Sequence, residues 1–389
     1  MNDDINKAQI KFITFYSLSY ICFGIVMSNF TPFLSSLGYD AMQRGILLST
    51  YAITTILFQL AFGVMADKFQ TIKKITIVSL LVFAVASALL YTQTGVRFAL
   101  HLLLMALSGG LLNTLCGLYD TWVLGSRQEI SQRLSFIKAF GSIGWALGSF
   151  LASYLILSLS YQGMAISIAC ILLLAVGNAI LLKDIDKVTH RPKTSIKDSL
   201  ALLNDRKYML LILILFLLYS MVVANNCTVI DKMLSLGASQ TQISMKWSLQ
   251  SILEIPTYLL GVRILRRFQH YHLLQFSACM LIVQFLLFAW TDSIHMMIVL
   301  SIFQLFSTPL LLITSKTMIY QLCKPELRGS SQLIALSIFT GLSSLLIPTI
   351  AGSLSIIVGV DTTLMCMAFL GISAYILIMA LKKINIKTS

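Results

Sequence analysis

The chain has 389 residues, of which 57% are hydrophobic and only 11% are charged. Soluble domains carry about 25% charged residues, so the composition excludes an ordinary soluble enzyme or binding domain. The formal net charge of +13 could indicate a nucleic-acid ligand. The placement of the basic residues, described below, instead predicts contact with a lipid bilayer and no nucleic-acid partner.

Twelve apolar stretches are long enough to cross a bilayer, which takes about 20 residues of helix. Numbered from the first to the twelfth span, they cover residues 12–36, 43–66, 75–94, 98–127, 133–158, 162–183, 208–230, 241–262, 271–291, 295–321, 329–354 and 362–381. We therefore predict an all-α membrane protein with twelve transmembrane helices.

The connections between the spans differ in charge. Nearly all Lys and Arg residues lie in alternate connections, on the side that also holds both termini, and the opposite connections hold only Arg44, Arg97 and Lys232. Basic residues concentrate on the cytoplasmic side of membrane proteins. We expect a multi-pass protein of the cell (inner or plasma) membrane with both termini in the cytoplasm.

The connection between the second and third spans, GVMADKFQTIKK, combines a small residue, an acid and basic residues at Gly63, Asp67, Lys73 and Lys74. A glycine permits close approach of two helices, and Asp67 can cap one helix and pair with another. The pattern predicts a cytoplasmic gate. A solvated turn is the simpler alternative for Asp67.

The fourth and fifth spans each carry one charge, Asp120 and Lys138. Each lies nine residues from Glu129 in the intervening turn, so an antiparallel hairpin places both at the same depth. A charge inside a bilayer costs about 2.5–3.5 kcal/mol, which makes such a pair a functional hypothesis. The alternative is a buried ion pair that only holds two helices together.

Two further polar residues mark the eighth span, Glu254 and Gln250, one turn apart on the same face. Pro256 follows Glu254 and should loosen the helix there. A protonated Glu that only hydrogen-bonds a neighbouring helix is the alternative to a functional acid. The polar segment 184–207 separates six spans from six, which predicts a bundle over 1–183, a cytoplasmic linker over 184–207 and a second bundle over 208–389. An amphipathic surface helix and a plain flexible linker both fit its second half.

Two six-span halves joined by such a linker resemble the major facilitator superfamily, and GVMADKFQTIKK is similar to that superfamily's cytoplasmic signature. The segment KAFGSIGWALGS, from Lys138 to Ser149, resembles the lactose permease branch, the oligosaccharide–proton symporters. This resemblance implies that Asp120 and Lys138 bind sugar hydroxyls and that Trp145 stacks on a sugar ring. It also implies that the acid in the eighth span, Glu254, contacts sugar and senses protonation.

The chain departs from that branch where the branch handles its proton. The corresponding positions in the seventh, ninth and tenth spans are Val223, Asn226, Gln284, Ser301, Gln304 and Ser307. None of these side chains can titrate. Either Asp120 and Glu254 carry the proton, which is our expectation, or the protein is not a proton symporter of that type. We expect Asn226 to contact the solute. Lys246 is expected to extend to the membrane surface, and Lys316 to reach the cytoplasmic face.

The sequence thus predicts a secondary transporter that imports a sugar, glycoside or nucleoside-like solute with protons. An exporter of drugs or metabolites on the same fold is the alternative, and a membrane sensor is a third possibility. The seven Cys and five His residues show no metal-binding spacing, and no phosphate-binding glycine loop is present. We expect a monomer without metal, cofactor or enzyme activity.

Overall fold

A computed structural model describes residues 2–69, 71–131, 133–185, 204–322 and 335–386, and every regular element in these ranges is helical. The α-helices are α1 (Asn2–Ser36), α2 (Ala41–Phe69), α3 (Lys73–Thr92), α4 (Phe98–Leu124), α5 (Gln128–Ser131), α6 (Leu134–Leu181), α7 (Arg206–Asn226), α8 (Thr228–Ser235), α9 (Gln240–Arg267), α10 (His270–Trp290), α11 (Ile294–Val299), α12 (Thr308–Leu322), α13 (Ser343–Val358) and α14 (Val360–Ile386). A 3-10 helix covers Leu300–Leu305, and a π-helix covers Ser337–Leu342.

Ten segments of the described chain are long and apolar enough to cross a membrane. One of them, Phe136–Leu181, would measure about 70 Å as a straight helix, more than twice the roughly 30 Å of a bilayer core. The chain reverses inside it at Ser160 (φ 63°, ψ 179°), which separates the fifth span from the sixth. Helix α9 is the eighth span, although its polar side chains make it less apolar. The helices therefore match the predicted twelve-span fold.

The tenth span is not one continuous helix. It begins as α11, tightens into the 3-10 helix Leu300–Leu305 and resumes as α12 at Thr308. A 3-10 helix brings residues three apart onto the same edge and rarely runs long. Here it carries Gln304, whose side chain belongs to the site described below.

Buried apolar side chains form two separate cores. One runs from Ile5 to Leu182 and includes Cys227 of the second half, and the other runs from Tyr208 to Leu381. The division into domains over 1–183, 184–207 and 208–389 stays a prediction. Residues 186–203 of the linker, with the amphipathic helix considered there, lie outside the described residues.

The helices run between two faces of the bundle. We call the face where α1 begins the terminal face and the opposite face the far face. The far-face connections are short, with residues 37–40 between α1 and α2, 93–97 between α3 and α4, and 236–239 between α8 and α9. The fifth and sixth spans are joined at Ser160 alone. Consecutive helices are therefore tightly linked at the far face.

The two halves touch along the far-face half of the bundle. Arg44 at the start of α2 pairs with Asp231 of α8, with 2.5 Å between Nη2 and Oδ1. Helices α2 and α13 approach so closely that a Cβ on Gly45 would lie 2.2 Å from the carbonyl oxygen of Pro348. Glycine is required there because any side chain would push the helices apart.

Two further contacts between the halves involve hydroxyl groups. Ser49 of α2 and Thr349 of α13 lie 2.8 Å apart at their hydroxyl oxygens, and Ser248 of α9 donates to the carbonyl oxygen of Ala146 in α6 at 2.9 Å. Together with the Arg44–Asp231 pair and the Gly45 contact they form what we call the far-face seal. Every hydrogen bond found between the halves in the described ranges lies in this part of the bundle.

Candidate functional site

The structure brings Asp120 and Lys138 into contact. Lys138 Nζ donates to Asp120 Oδ2 at 2.6 Å, and the Tyr16 hydroxyl of α1 donates to Asp120 Oδ1 at 3.1 Å. Asp120 lies one turn before the end of α4, and Lys138 lies one turn after the start of α6. The pair is thus level, but nearer the terminal face than the middle of the helices. The side chains of Lys138 and Asp120 remain 40% and 25% exposed, so neither is sealed inside the protein.

An aromatic row leads from this pair into the bundle. Tyr16 stacks on Tyr20, with ring centroids 5.6 Å apart and planes 8° apart. Tyr20 in turn lies 6.4 Å from the half-buried ring of Trp145, which stands seven residues deeper along α6 than Lys138. Sequence reasoning missed both tyrosines, because the first span carries no charge to single it out.

The glycines beside Trp145 serve helix packing. A Cβ on Gly144 would lie 2.5 Å from the carbonyl oxygen of Ser17, and one on Gly148 would lie 2.0 Å from that of Ile21. Such contacts let the backbones of α1 and α6 meet directly, as small residues do in membrane bundles. This packing holds the aromatic row against α6.

Glu254 lies midway along α9, deeper in the bundle than the Asp120–Lys138 pair. Its Oε1 accepts a hydrogen bond from Gln304 Nε2 of the 3-10 helix at 2.9 Å, and no cation pairs with it in the described residues. Tyr258, one turn further on, is close enough to interact electrostatically with both Glu254 and Asp120. Sequence reasoning located Gln304 but did not connect it to Glu254.

Gln250 lies one turn from Glu254 toward the far face and is buried. Its Oε1 accepts from Asn225 Nδ2 of α7 at 3.0 Å. The expectation that Lys246 extends to the membrane surface is wrong, because Lys246 is fully buried and donates to the side-chain oxygen of Asn225 at 3.0 Å. Satisfying the ammonium inside the protein removes the need for it to reach water.

Asn226 is separated from these contacts. It lines a small cavity between the halves on the far-face side, together with Thr31, Tyr51 and Trp247. The structure therefore places Asn226 beside the far-face seal, where a role in solute contact stays a prediction.

Lys316 of α12 was expected at the cytoplasmic face. Its side chain is exposed and lies close enough to Asp120 and Lys138 to interact with both charges. The tenth span therefore adds a second cation to the neighbourhood of the ion pair. Lys316 belongs to the second half of the chain. Its own span gave no indication that it would lie near an ion pair in the first half.

The predicted cytoplasmic gate is only partly described. Gly63 and Asp67 lie within α2, but the surroundings of both residues fall outside what the structure describes. Lys73 donates through Nζ to the carbonyl oxygens of Ile180 and Leu182, at 2.6 and 2.7 Å, and so caps α6 in its own half. Lys74 is exposed, and a gating role for these residues stays a prediction.

Asp184 is the acid that organises this region, and sequence reasoning assigned it only to the linker. Its carboxylate accepts from the Thr71 hydroxyl at 2.5 Å and from the backbone N–H groups of Ile72 and Lys73 at 3.0 and 3.1 Å. Partial burial by itself raises the pKa of Asp184. The hydrogen bonds favour the charged form more strongly and bring its pKa below the usual value.

Comparison with known proteins identifies the chain's relatives. The family model described as "MFS_1 like family" matches residues 9–363. The sucrose permease of Escherichia coli is 28% identical over 159 residues, a match that spans 39% of this chain and 38% of the permease.

Solved structures extend the likeness to the whole fold. The crystal structure of the nucleoside transporter NupG aligns with a TM-score of 0.78 at 17% identity, covering 97% of this chain and 99% of that one. A bacterial homolog of the human lysosomal transporter Spinster, inward-facing and unoccupied, aligns with a TM-score of 0.76 at 10% identity, covering 98% of both chains. The family match over most of the chain and the twelve-span fold lead to one conclusion: the chain belongs to the MFS_1 like family and is a membrane transporter of the major facilitator type.

Proposed function

We propose that this transporter moves a sugar, glycoside or nucleoside-like solute together with protons, inward across the cell membrane. The observation that carries the proposal is the accessible Asp120–Lys138 pair with Trp145 two turns deeper on α6. A carboxylate that accepts, an ammonium that donates and an aromatic face together suit a ring that bears hydroxyl groups. The sucrose permease and nucleoside transporter relatives support this solute class.

Asp120 and Glu254 take different parts in the proposal because their partners differ. Asp120 is bound to a cation and to the Tyr16 hydroxyl, so protonating it would break an ion pair. Glu254 is bound to the neutral amide of Gln304, so it can gain a proton without losing an ion pair. We assign solute binding to Asp120 and the loading and release of the transported proton to Glu254.

The arrangement of the halves supports alternating access. Solute and proton binding lie between the halves, and the far-face seal closes one route to them. Rocking the halves about the site would open that seal and close the terminal face. With both termini in the cytoplasm, as the charge distribution predicts, we assign this structure to the inward-facing state of a transporter that works as a monomer.

The proposal is tested with purified protein in proteoliposomes, using radiolabelled sucrose and uridine and an imposed pH gradient. The wild type should concentrate at least one of the two solutes. Glu254→Gln should abolish accumulation yet keep solute exchange, because a Gln binds solute but carries no proton. Asp120→Asn should lose solute binding. Glu129→Gln, the same substitution at an exposed position, is the matched control and should transport normally.

Three results would overturn the assignments. Persistent pH-driven accumulation in Glu254→Gln would contradict the proton-carrying role. Normal binding in Asp120→Asn would contradict the solute role. Proton-driven efflux without uptake would make the protein an exporter.

A further inference from the structure

A polar stripe on α9 runs from the sealed part of the bundle into the site. Lys246, Gln250 and Glu254 stand four residues apart and so share one helix face. Their burial falls along the stripe, because Lys246 is 0% exposed, Gln250 is 7% exposed and Glu254 is half-buried. The stripe therefore connects a cation that no solute can touch with an acid that borders the site.

Lys246 is an unusual buried charge because its partners are neutral. Its Nζ donates to the backbone and side-chain oxygens of Asn225 at 3.2 and 3.0 Å and lies 4.6 Å from the centroid of the Trp247 ring. No carboxylate pairs with it in the described chain. Buried charges are usually paired with an opposite charge, so the placement of this one needs an explanation.

The hydrogen bonds have only one consistent direction. An ammonium group has three donors and no acceptor, so Asn225 must turn its Oδ1 toward Lys246. The Asn225 Nδ2 then donates to Gln250 Oε1, at 3.0 Å. With its oxygen turned toward Asn225, Gln250 turns its NH2 group away from Asn225, and no acceptor binds that group in the described ranges. The buried cation thus decides which end of an amide two contacts away is presented.

A second hydrogen-bond donor without an acceptor in the described chain lies on the same side of α9. The indole N–H of Trp247 is buried with no acceptor in the described residues, and Trp247 lines the small cavity that also borders Asn226. An indole nitrogen can only donate. Donors without acceptors therefore occur together on this side of α9.

We propose that Lys246 is a positioning residue, which fixes the Asn225 and Gln250 amides so that Gln250 turns a donor toward the solute. This inference rests on the proposed function, in that the site holds a polar solute. The complement of such a donor is an oxygen that carries no hydrogen, such as a ring carbonyl. A solute with a carbonyl-bearing ring, as in a pyrimidine nucleoside, satisfies it better than a sugar that offers hydroxyl groups.

Asn225→Asp separates orientation from structural support. The new carboxylate would pair with Lys246, so the protein should melt at the same or a higher temperature. A carboxylate cannot donate, however, so Gln250 must turn its NH2 group toward the new carboxylate and present its oxygen to the solute.

The experiment measures equilibrium binding of radiolabelled uridine and sucrose to the full chain in lipid nanodiscs. Wild type should bind uridine more tightly than sucrose. Asn225→Asp should weaken uridine binding about tenfold, since an acceptor would face an acceptor. Lys246→Met should weaken it several-fold, while Lys246→Arg, which keeps the donors, should stay within about threefold of wild type.

If Asn225→Asp binds uridine as tightly as the wild type does, Lys246 does not orient the Gln250 amide. If the wild type binds sucrose more tightly than uridine, the assignment of a carbonyl-bearing solute is wrong. If wild type binds neither probe, the proposed solute class fails, and the positioning role is judged without solute. The melting temperatures of Lys246→Met, Gln250→Leu and the double variant then decide it. Non-additive shifts support coupling through Asn225, and additive shifts overturn it.

Discussion

Trp145 is held in place by contacts with α1. Tyr20 packs beside its ring, and a Cβ on Gly24 would lie 2.4 Å from its carbonyl oxygen, so α1 fixes both its ring and its backbone. An aromatic ring held in this way is preorganised for stacking, because little side-chain freedom remains to be lost on binding.

Trp145→Ala should raise the apparent KM for the transported solute about three- to tenfold, since aromatic stacking contributes about 0.5–1.5 kcal/mol beyond buried area. Trp145→Phe should keep part of the affinity because it keeps an aromatic face. Uptake kinetics in proteoliposomes measure the effect. Trp290→Ala, the same change at an exposed ring, should leave KM unchanged, and an unchanged KM in Trp145→Ala would assign that ring to packing.

For individual side chains, the sequence predicted contacts within one helical hairpin but not contacts between spans that are distant along the chain. Asp120 and Lys138 could be matched because a short turn joins their helices and sets a common depth. Gln304 reaches Glu254 only because the tenth span tightens into a 3-10 helix. Lys246 was misplaced because its partner, Asn225, lies on a helix whose orientation about its axis the sequence does not determine.

Among the helices, α1 and α6 meet closely at Gly148. Gly148→Ala places a Cβ 2.0 Å from the carbonyl oxygen of Ile21, and neither backbone can yield without moving its helix. We expect a loss of about 1–3 kcal/mol, seen as a lower melting temperature and weaker solute binding. Gly177→Ala in the same helix meets nothing within 4 Å and should melt like the wild type.

The junction between α3 and α6 depends on one charged cap. Asp184→Asn weakens the hydrogen bonds to the start of α3 and should cost about 1 kcal/mol at neutral pH. The pKa of Asp184 in the folded protein lies below its ordinary value of 3.8, so its stabilising effect is complete above that value and is lost as the pH falls through the folded pKa. The difference in melting temperature between variant and wild type should therefore shrink on acidification, and a constant difference would contradict this account.

For the whole molecule, the basic residues on the sparsely charged side prove informative. Arg44 pairs with Asp231 across the halves, and Lys232 pairs with Asp361 at 2.6 Å within the second half. These exceptions to the charge pattern are therefore structural. One closes the far face between halves, and the other ties α8 to α14.

Arg44→Gln should shift the population toward a state open at the far face, by roughly tenfold if the lost charged hydrogen bonds contribute about 1.5 kcal/mol. Cys227 reports the change, because it is 5% exposed and lines the cavity beneath the seal. In a variant whose single cysteine is Cys227, a membrane-impermeant maleimide should label Arg44→Gln faster than the parent. Arg97→Gln, the same change on the same face without an ion pair in the described chain, should label at the parental rate.

The short far-face connections determine which pairs of helices can separate when the far face opens. Four residues span at most about 14 Å, so α2 cannot leave α1 across 37–40, nor α9 leave α8 across 236–239. Neighbours in sequence must swing together, whereas no short connection joins α2 to α13 or α6 to α9, so the seams between these helices are free to widen. Lengthening such a connection with a flexible insert would let one helix open alone, so that the far face of the transporter would leak.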